Sequence, residues 1–346
     1  MIIKQQLKKI SIADIARELH VSKTTVSFIL NGRAEEKRIG REVVERVQKF
    51  IEEVGYRPNP LAQSLRTGKS NIIALMVEDI SNPFFASIAR LIEDRAYKNG
   101  YKIIYCSTDN DPAKTRDLIS MFRERHVDGY IIAPPEGIED EISALMKAKM
   151  PVVLFDRHLN DVKTDLVEID NMFSTYNATK HLTEQGFKKI AYVTFSSNQS
   201  QMLARLDGYN KALEESGYKP FVKEIAFNQN DDLIIGPITA FLKKNKNLDA
   251  VFFGTNHVGT CGLQVITDLG IQVPSDLAVV SFDDYNVFKM HSPPVTAISQ
   301  PIEAIADNVI TVLLNRLNTS SQHISSQSIV LKTDLHIRGS SLRAAQ

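Results

Sequence analysis

The stretch IADIARELHVSKTTVSFILNG, residues 12–32, decides how this chain is read. Ser11 and Asp14 fit a capping box, each side chain reaching a free amide of the other, so a helix is expected to start there. Ile12, Ile15, Ala16 and Leu19 follow at i, i+3, i+4 and i+7, one apolar stripe on little more than two turns. His20 and Val21 make a turn. Ser22 can cap a second helix in which Val26, Ile29 and Leu30 point inward while Lys23, Thr24, Ser27 and Phe28 share the other side, and Asn31-Gly32 stops it. A third helix from about Arg41 to Val54 carries Val43, Val44, Val47, Phe50, Ile51 and Val54, with Gly55 as its stop. Three such helices can just close one small core.

The charges of the 346-residue chain cancel, but they are not evenly spread. Residues 1–70 carry 14 Lys and Arg against 8 Asp and Glu, and the other 276 carry 27 against 33. That is a basic module on an acidic body, the footprint of a domain that meets nucleic acid. A solvated polar face is the plainer reading of Lys23, Thr24 and Ser27 taken alone. The turn spacing and the positive charge favour the other reading, in which these short side chains enter a groove and bond base edges or phosphates.

The run 12–32 resembles the headpiece of the lactose-repressor (LacI/GalR) family, and the resemblance extends over essentially the whole chain. It implies an N-terminal all-α helix-turn-helix headpiece at 1–57 and a hinge helix and linker at 58–70. It further implies an α/β two-lobed, periplasmic-binding-protein-like core with parallel sheets at 71–346, for effector binding and dimerisation. The lobes are expected at about 71–169 plus 300–325 and 170–299 plus 326–346. By this resemblance Lys23 and Thr24 read bases, Ser22, Thr25 and Ser27 hold phosphates or support docking, and Asn31 belongs to the same DNA-binding set. Phe28 departs from the Arg or His common in relatives. It either touches a thymine methyl or packs on the headpiece.

Tyr56-Arg57-Pro58-Asn59-Pro60 breaks helical character, because each proline removes an amide donor and biases its predecessor toward extended backbone. Leu61 to Arg66 is too short to hold a helix alone in water. In the resembling family DNA and the second subunit supply the help, and YRPNPLAQSLRTGKS, residues 56–70, is similar to that hinge. Leu65 then corresponds to the leucine that wedges into the minor groove, flanked by Ala62 and Arg66.

Beyond residue 70, the β-branched runs IIALMV, KIIYC, GYIIA, PVVLF, KIAYVTF, DAVFF and LAVVSF alternate with amphipathic stretches, the pattern of parallel sheets wrapped by helices. Ligands of such sheets bind beyond the carboxyl ends of strands. Glu78, Asp79, Asn82, Phe84 and Phe85 follow the first run, Asp156 and Arg157 the fourth, Asn256 and His257 the sixth, and Asp283 and Asp284 the last. Carboxylates, amides and guanidinium match vicinal hydroxyls, and aromatic rings cover a sugar's apolar face, so a sugar or sugar derivative is the favoured effector. Singly, each of these residues also ends strands and turns for backbone reasons. The family resemblance selects Asn82, Phe84, Phe85, Asp156, Arg205, Asn256, Asp283 and Gln300 as effector contacts, with Arg205 the chief anchor, and the strand-end position adds Arg157 to the set. His257 and Ala133 depart from relatives at neighbouring positions. Asp170-Asn171 resembles the start of the second lobe, where Ser174 replaces the usual glycine and the expected role is structural.

No GxSxG, HExxH or P-loop occurs, so catalysis is not expected, and no cofactor or metal is implied. Cys106 and Cys261 lack metal or redox spacing and read as buried reduced thiols. The N-terminus has no signal-like apolar run and no stretch is long enough to span a membrane, so a cytoplasmic protein is expected. With no heptad tail, a homodimer on a pseudo-palindromic, double-stranded operator is the natural assembly. The expected function is a sequence-specific DNA-binding transcription regulator, a repressor in preference, controlled by a small carbohydrate. The alternatives are a purine or phosphoprotein co-effector, a transport-type sugar-binding protein, and a carbohydrate- or nucleoside-processing enzyme.

Overall fold

The computed structural model describes residues 10–56, 68–227, 230–319 and 325–343. Compactness divides the chain into two units, Met1–Ser70 and Asn71–Gln346. The proposed hinge residues Ala62, Leu65 and Arg66 lie outside the described residues.

The first unit holds α1 (Ile12–Glu18), α2 (Lys23–Leu30) and α3 (Arg41–Glu53). The capping box is formed: Asp14 N donates to Ser11 Oγ at 3.3 Å and Ser11 N to Asp14 Oδ2 at 3.0 Å. Ser22 Oγ accepts from Thr25 N at 2.9 Å, which starts α2 where the sequence places it. Ile15, Ala16, Val26, Ile29 and Val47 are buried, and Ile12, Leu19, Leu30, Val43, Val44, Phe50 and Ile51 pack around them. Val54 is the C-cap of α3 and stands outside this cluster. Between α2 and α3, Arg33 grips Glu36 with two bonds of 2.7 and 2.6 Å. These bonds, with Lys37 adding to them, bring the Glu36 carboxyl down to about 2.

The second unit contains two six-stranded sheets. The first lobe begins with β1 (Ile72–Val77), α4 (Pro83–Lys98), β2 (Lys102–Ser107), α5 (Pro112–Glu124), β3 (Gly129–Ile132), α6 (Glu139–Lys147), β4 (Val152–Phe155) and β5 (Asp165–Ile169). The chain then crosses to α7 (Asn171–Glu184), β6 (Ile190–Phe195), α8 (Ser200–Glu215), β7 (Phe221–Ile225), α9 (Asp232–Lys244) and β8 (Ala250–Phe253). This lobe continues through α10 (Asn256–Asp268), β9 (Ala278–Phe282), α11 (Asn286–Met290) and β10 (Thr296–Ser299). It crosses back to α12 (Ile302–Asn318) and β11 (Ser328–Leu331), and once more to β12 (Asp334–His336). Sheet orders are β11-β5-β4-β3-β1-β2 and β12-β10-β9-β8-β6-β7. Every pairing is parallel except that of β10 with β12.

The expected partition of the C-terminal segment needs correction. Residues 326–346 were expected in the second lobe as a block, yet Ser328–Leu331 pairs in parallel with Leu166–Ile169 at the edge of the first sheet. Arg316 explains the delay: it forks onto both Asp165 oxygens at 2.7 Å, and Gln327 N donates to the same carboxylate at 2.9 Å, holding the chain beside β5. The third crossing therefore follows residue 331.

Two close approaches hold the second lobe together. Gly208 on α8 lies against α7 so tightly that a Cβ there would run into the Met172 carbonyl oxygen. Backbone cannot yield as a flexible side chain can, so Gly208→Ala should lower core stability by about 2–3 kcal/mol in urea unfolding, the range of an overpacked interior. His181 is buried, with Nε2 2.7 Å from Ser341 Oγ, which in turn lies 2.6 Å from Thr296 Oγ1. Burial pushes the His181 pKa below its ordinary 6.5, so the fold favours the neutral ring. The folded pKa lies below the unfolded one, so full stability is present above the unfolded value and declines as pH falls through it toward the folded value. Thermal melts from about pH 7 to about pH 5 should show that decline in the wild type and a shallower one in His181→Gln.

Candidate functional site

On the first unit, Ser22, Lys23, Thr24 and Asn31 are exposed while Thr25, Ser27 and Phe28 are half-buried. Ser22 and Thr25 are partly engaged with each other, their hydroxyls 2.8 Å apart, so the first turn of α2 is fixed before any ligand arrives. Asn31 donates to the Ser27 carbonyl and fastens the other end. Lys23 and Thr24 are thus carried at the start of a helix capped at both ends, where the free amides and the positive end of the helix dipole suit phosphate. Phe28 lies beneath two cations, Arg33 at 5.7 Å and Lys37 at 5.5 Å from its ring centroid. The ring thus packs on the headpiece against the Arg33–Glu36–Lys37 cluster that follows α2.

In the second unit a cavity of about 450 Å³ opens between the lobes at the carboxyl ends of β1, β4, β6, β8 and β9. All nine residues selected as effector contacts line it: Asn82, Phe84, Phe85, Asp156, Arg157, Arg205, Asn256, Asp283 and Gln300. Asp156 and Asp283 both end strands with left-handed backbone, φ +70° and +66°, which turns their side chains off the sheet axis and into the space beyond it.

The two arginines differ in what they have left to offer. Arg157 is buried and engaged through all three of its nitrogens: Nε donates to Asp156 at 2.9 Å, one terminal nitrogen to Asn110 at 3.0 Å, the other to Glu78 at 2.9 Å. Burial works against its charge, but Asp156 and Glu78 outweigh that and raise its pKa. Arg205 is stacked on Phe282, its guanidinium carbon 3.5 Å from the ring centroid. Its Nε donates to Asn171 at 2.8 Å and Nη1 to the Gly254 carbonyl at 3.0 Å. Neither bond uses Nη2. Asn171, read from the sequence as structural, is the residue that aims it.

Asp283 is buried, accepting from Asn256 at 2.8 Å and from Gln300 at 2.7 Å. Burial raises its pKa, while the nearby Arg205 charge and the two amide donors pull the other way. The network continues across the cleft. Asn256 Nδ2 donates to Tyr285 Oη at 3.1 Å, and Tyr285 Oη donates to Asn82 Oδ1 at 3.0 Å. At a second interlobe contact, Ser200 Oγ accepts from His158 N at 3.1 Å and donates back to its carbonyl at 3.3 Å.

Several lining residues were missed by the sequence reading. Ser196, Ser197, Asn198 and Gln199 directly follow β6, and the strand-end rule applied to KIAYVTF would have found them. Phe227 follows β7, a strand too mixed in polarity to be recognised. Asn110 and Glu136 follow β2 and β3 and fall under the same strand-end rule, applied to KIIYC and GYIIA. Gln201 is buried in the wall, and its Oε1 has no hydrogen-bond partner among the described residues. His257, the departure noted earlier, is 2.6 Å from Asp231 through Nε2.

Comparison with known proteins agrees with both units. Residues 11–59 match bacterial regulatory proteins of the lacI family, and residues 179–341 match the periplasmic binding protein-like domain. The HTH-type transcriptional regulator DegA of Bacillus subtilis (strain 168) is 32% identical over 337 residues, covering 96% of this chain and 98% of its own. The HTH-type transcriptional repressor PurR of Haemophilus influenzae (strain PittEE) is 29% identical, covering 95% and 98%. Among solved structures, the transcriptional regulator CelR–cellobiose complex superposes with a TM-score of 0.71 at 26% identity, covering 96% of this chain and 99% of that one. The chain belongs to the lacI family of DNA-binding, helix-turn-helix transcription regulators. Among the described residues no helix is long and apolar enough to cross a membrane.

Tyr285→Phe removes the hydroxyl that joins the lobes while keeping the ring stacked near Phe288 at 6.3 Å. It should lower core stability by about 1–2 kcal/mol in urea unfolding, the scale of a part-buried hydrogen bond whose partners are left unpaired.

Proposed function

We propose that this protein is a homodimeric, cytoplasmic repressor whose grip on operator DNA is set by a neutral sugar or sugar derivative bound between the lobes, with no catalytic step. The observation that carries the effector class is the balance of groups in the cleft. Four carboxylates (Glu78, Glu136, Asp156, Asp283) line it against the guanidiniums of Arg157 and Arg205, with amides from Asn82, Asn110, Asn256 and Gln300. A phosphate or a second carboxylate would meet excess negative charge there, and Arg157 is already neutralised by its own partners. Hydroxyls suit the set, since they donate to Asp156 and Asp283 and accept from Arg205 Nη2. Phe84 and Phe85 from one lobe and Phe195 and Phe227 from the other supply faces for the apolar side of a pyranose or furanose. The cellobiose held by a related regulator is in keeping with this chemistry.

At the other end, Lys23 and Thr24 read base edges, Ser22, Thr25, Ser27 and Asn31 fix the headpiece on the backbone, and Phe28 sits among the cations that face it. Leu65, flanked by Ala62 and Arg66, wedges into the minor groove at the cost of a few kcal/mol of unstacking. A ligand with a modest differential affinity for two lobe arrangements is then enough to change occupancy.

Operator sequences selected from random DNA, followed by fluorescence anisotropy at graded salt, test the DNA-binding half. Affinity should fall steeply with salt, and Lys23→Ala should change which sequences are selected. Calorimetry against neutral sugars, sugar phosphates and nucleobases tests the effector. Heat from neutral sugars supports the reading; heat only from nucleobases or phosphates overturns it. Arg205→Lys keeps the buried charge but cannot reproduce the planar fork. It should weaken the sugar by about a hundredfold, equivalent to about 2.7 kcal/mol, while leaving operator affinity without sugar near wild type.

A further inference from the structure

We propose that Asp231, His257 and Cys261 form a three-ligand site for a borderline-soft divalent cation, zinc first, in the wall of the cleft. Their ligand atoms all lie within 4.8 Å of one another. His257 and Cys261 stand four residues apart on α10, so one helix face presents both. Asp231, the N-cap residue of α9, brings its carboxylate to 2.6 Å from His257 Nε2. The sequence reading treated Cys261 as an isolated thiol because the third donor lies 26 residues upstream of His257 and meets it only through the packing of α9 on α10.

The spacing fits the ion. Tetrahedral zinc with bonds of about 2.0–2.3 Å separates its ligand atoms by about 3.3–3.7 Å, so the set needs rearrangements of about 1 Å. Asp231 is exposed and can supply that movement, while Cys261 is held in the apolar layer with Val258 and Val265. The His257 ring is braced against Phe195, with centroids 5.8 Å apart at 63°. Thiolate, imidazole and carboxylate together favour zinc over magnesium or calcium, which take oxygen. An ordinary hydrogen-bonded His–Asp pair accounts for two of the three groups. The Cys261 thiol also hydrogen-bonds Asp231, so the metal-free cluster is closed on that carboxylate and the cation must displace the thiol proton from it.

Three protein ligands leave a fourth position open, as in exchangeable rather than closed structural zinc sites. His257 also lines the cleft, so the cation would belong to the same wall as the effector groups. Binding exchanges the thiol proton for the cation and releases that proton to solvent, with no change in oxidation state.

The test uses tag-free, full-length protein, stripped of metal, reduced with a phosphine and titrated with cobalt(II). One equivalent per chain should produce thiolate-to-cobalt charge transfer in the near ultraviolet, and zinc should bleach it. Cys261→Ser should abolish the band, Cys106→Ser should keep it, and His257→Gln and Asp231→Asn should each weaken binding at least about tenfold. No band in the wild type, a band that survives Cys261→Ser, or one lost in Cys106→Ser overturns the site. Should Cys261→Ser fail to fold, circular dichroism will show it. His257→Gln and Asp231→Asn then decide, because wild-type cobalt affinity in both refutes the assignment. Sugar calorimetry on the metal-free protein separates failure of this site from failure of the effector reading.

Discussion

A carboxylate buried at the end of β9 must be held by donors, and much of the cleft follows from how Asp283 is held. Asn256 reaches it from the first turn of α10 and Gln300 from the crossing between β10 and α12. Arg205 adds positive charge from α8 without bonding it directly, and is itself aimed by Asn171 at the crossing between β5 and α7. A buried charge with poor compensation costs several kcal/mol, so these donors cannot drift far without penalty. Two of the three interlobe crossings thereby carry the residues that orient the ligand groups. A change in lobe angle, which must bend those crossings, reaches the cleft through Asn171 and Gln300.

The contrast between the arginines sharpens this. Arg157 has three acceptors from three different loops and is held like a structural rivet between β1, β2 and β4. From sequence it looked like a ligand anchor because it follows a strand end next to an aspartate. Position alone could not show that Glu78 and Asn110 engage both of its terminal nitrogens. Arg205, by comparison, sits in a helix far from any strand end and was singled out by family resemblance, and its geometry leaves one nitrogen toward the cleft.

What could be read in the sequence was whatever depends on neighbours within a few residues. The capping box at Ser11, the cap at Ser22 and the stripe through Ile15, Val26 and Val47 are local and were legible. So were the long β-branched strands, and with them the strand-end residues that line the cleft. Two other strands were not: Asp165–Ile169 and Phe221–Ile225 carry a charged residue on each face, with the buried Asp165 paired to Arg316 and Lys223 on the same face as Phe221 and Ile225, so neither shows a clean apolar period. The destination of Ser328–Leu331 was also illegible, since it is fixed by Arg316 and Gln327 converging on Asp165 more than 150 positions away. The meeting of Asp231 with His257 and Cys261 is of the same kind.

The energies of the interlobe contacts fit a switch. Tyr285 with Asn82 and Ser200 with His158 are polar links across the cleft, and each is worth about 1 kcal/mol net. A few such bonds bias the lobe arrangement by an amount comparable to the cost of unstacking one base step. Asn82 is at once a cleft-lining amide, the acceptor for Tyr285 and the cap of α4 through its 3.0 Å bond from Phe84 N. A sugar hydroxyl that competes for that amide acts on the interlobe bond itself. In the proposed mechanism, occupancy of the cleft and the angle between the lobes are therefore set by the same few hydrogen bonds.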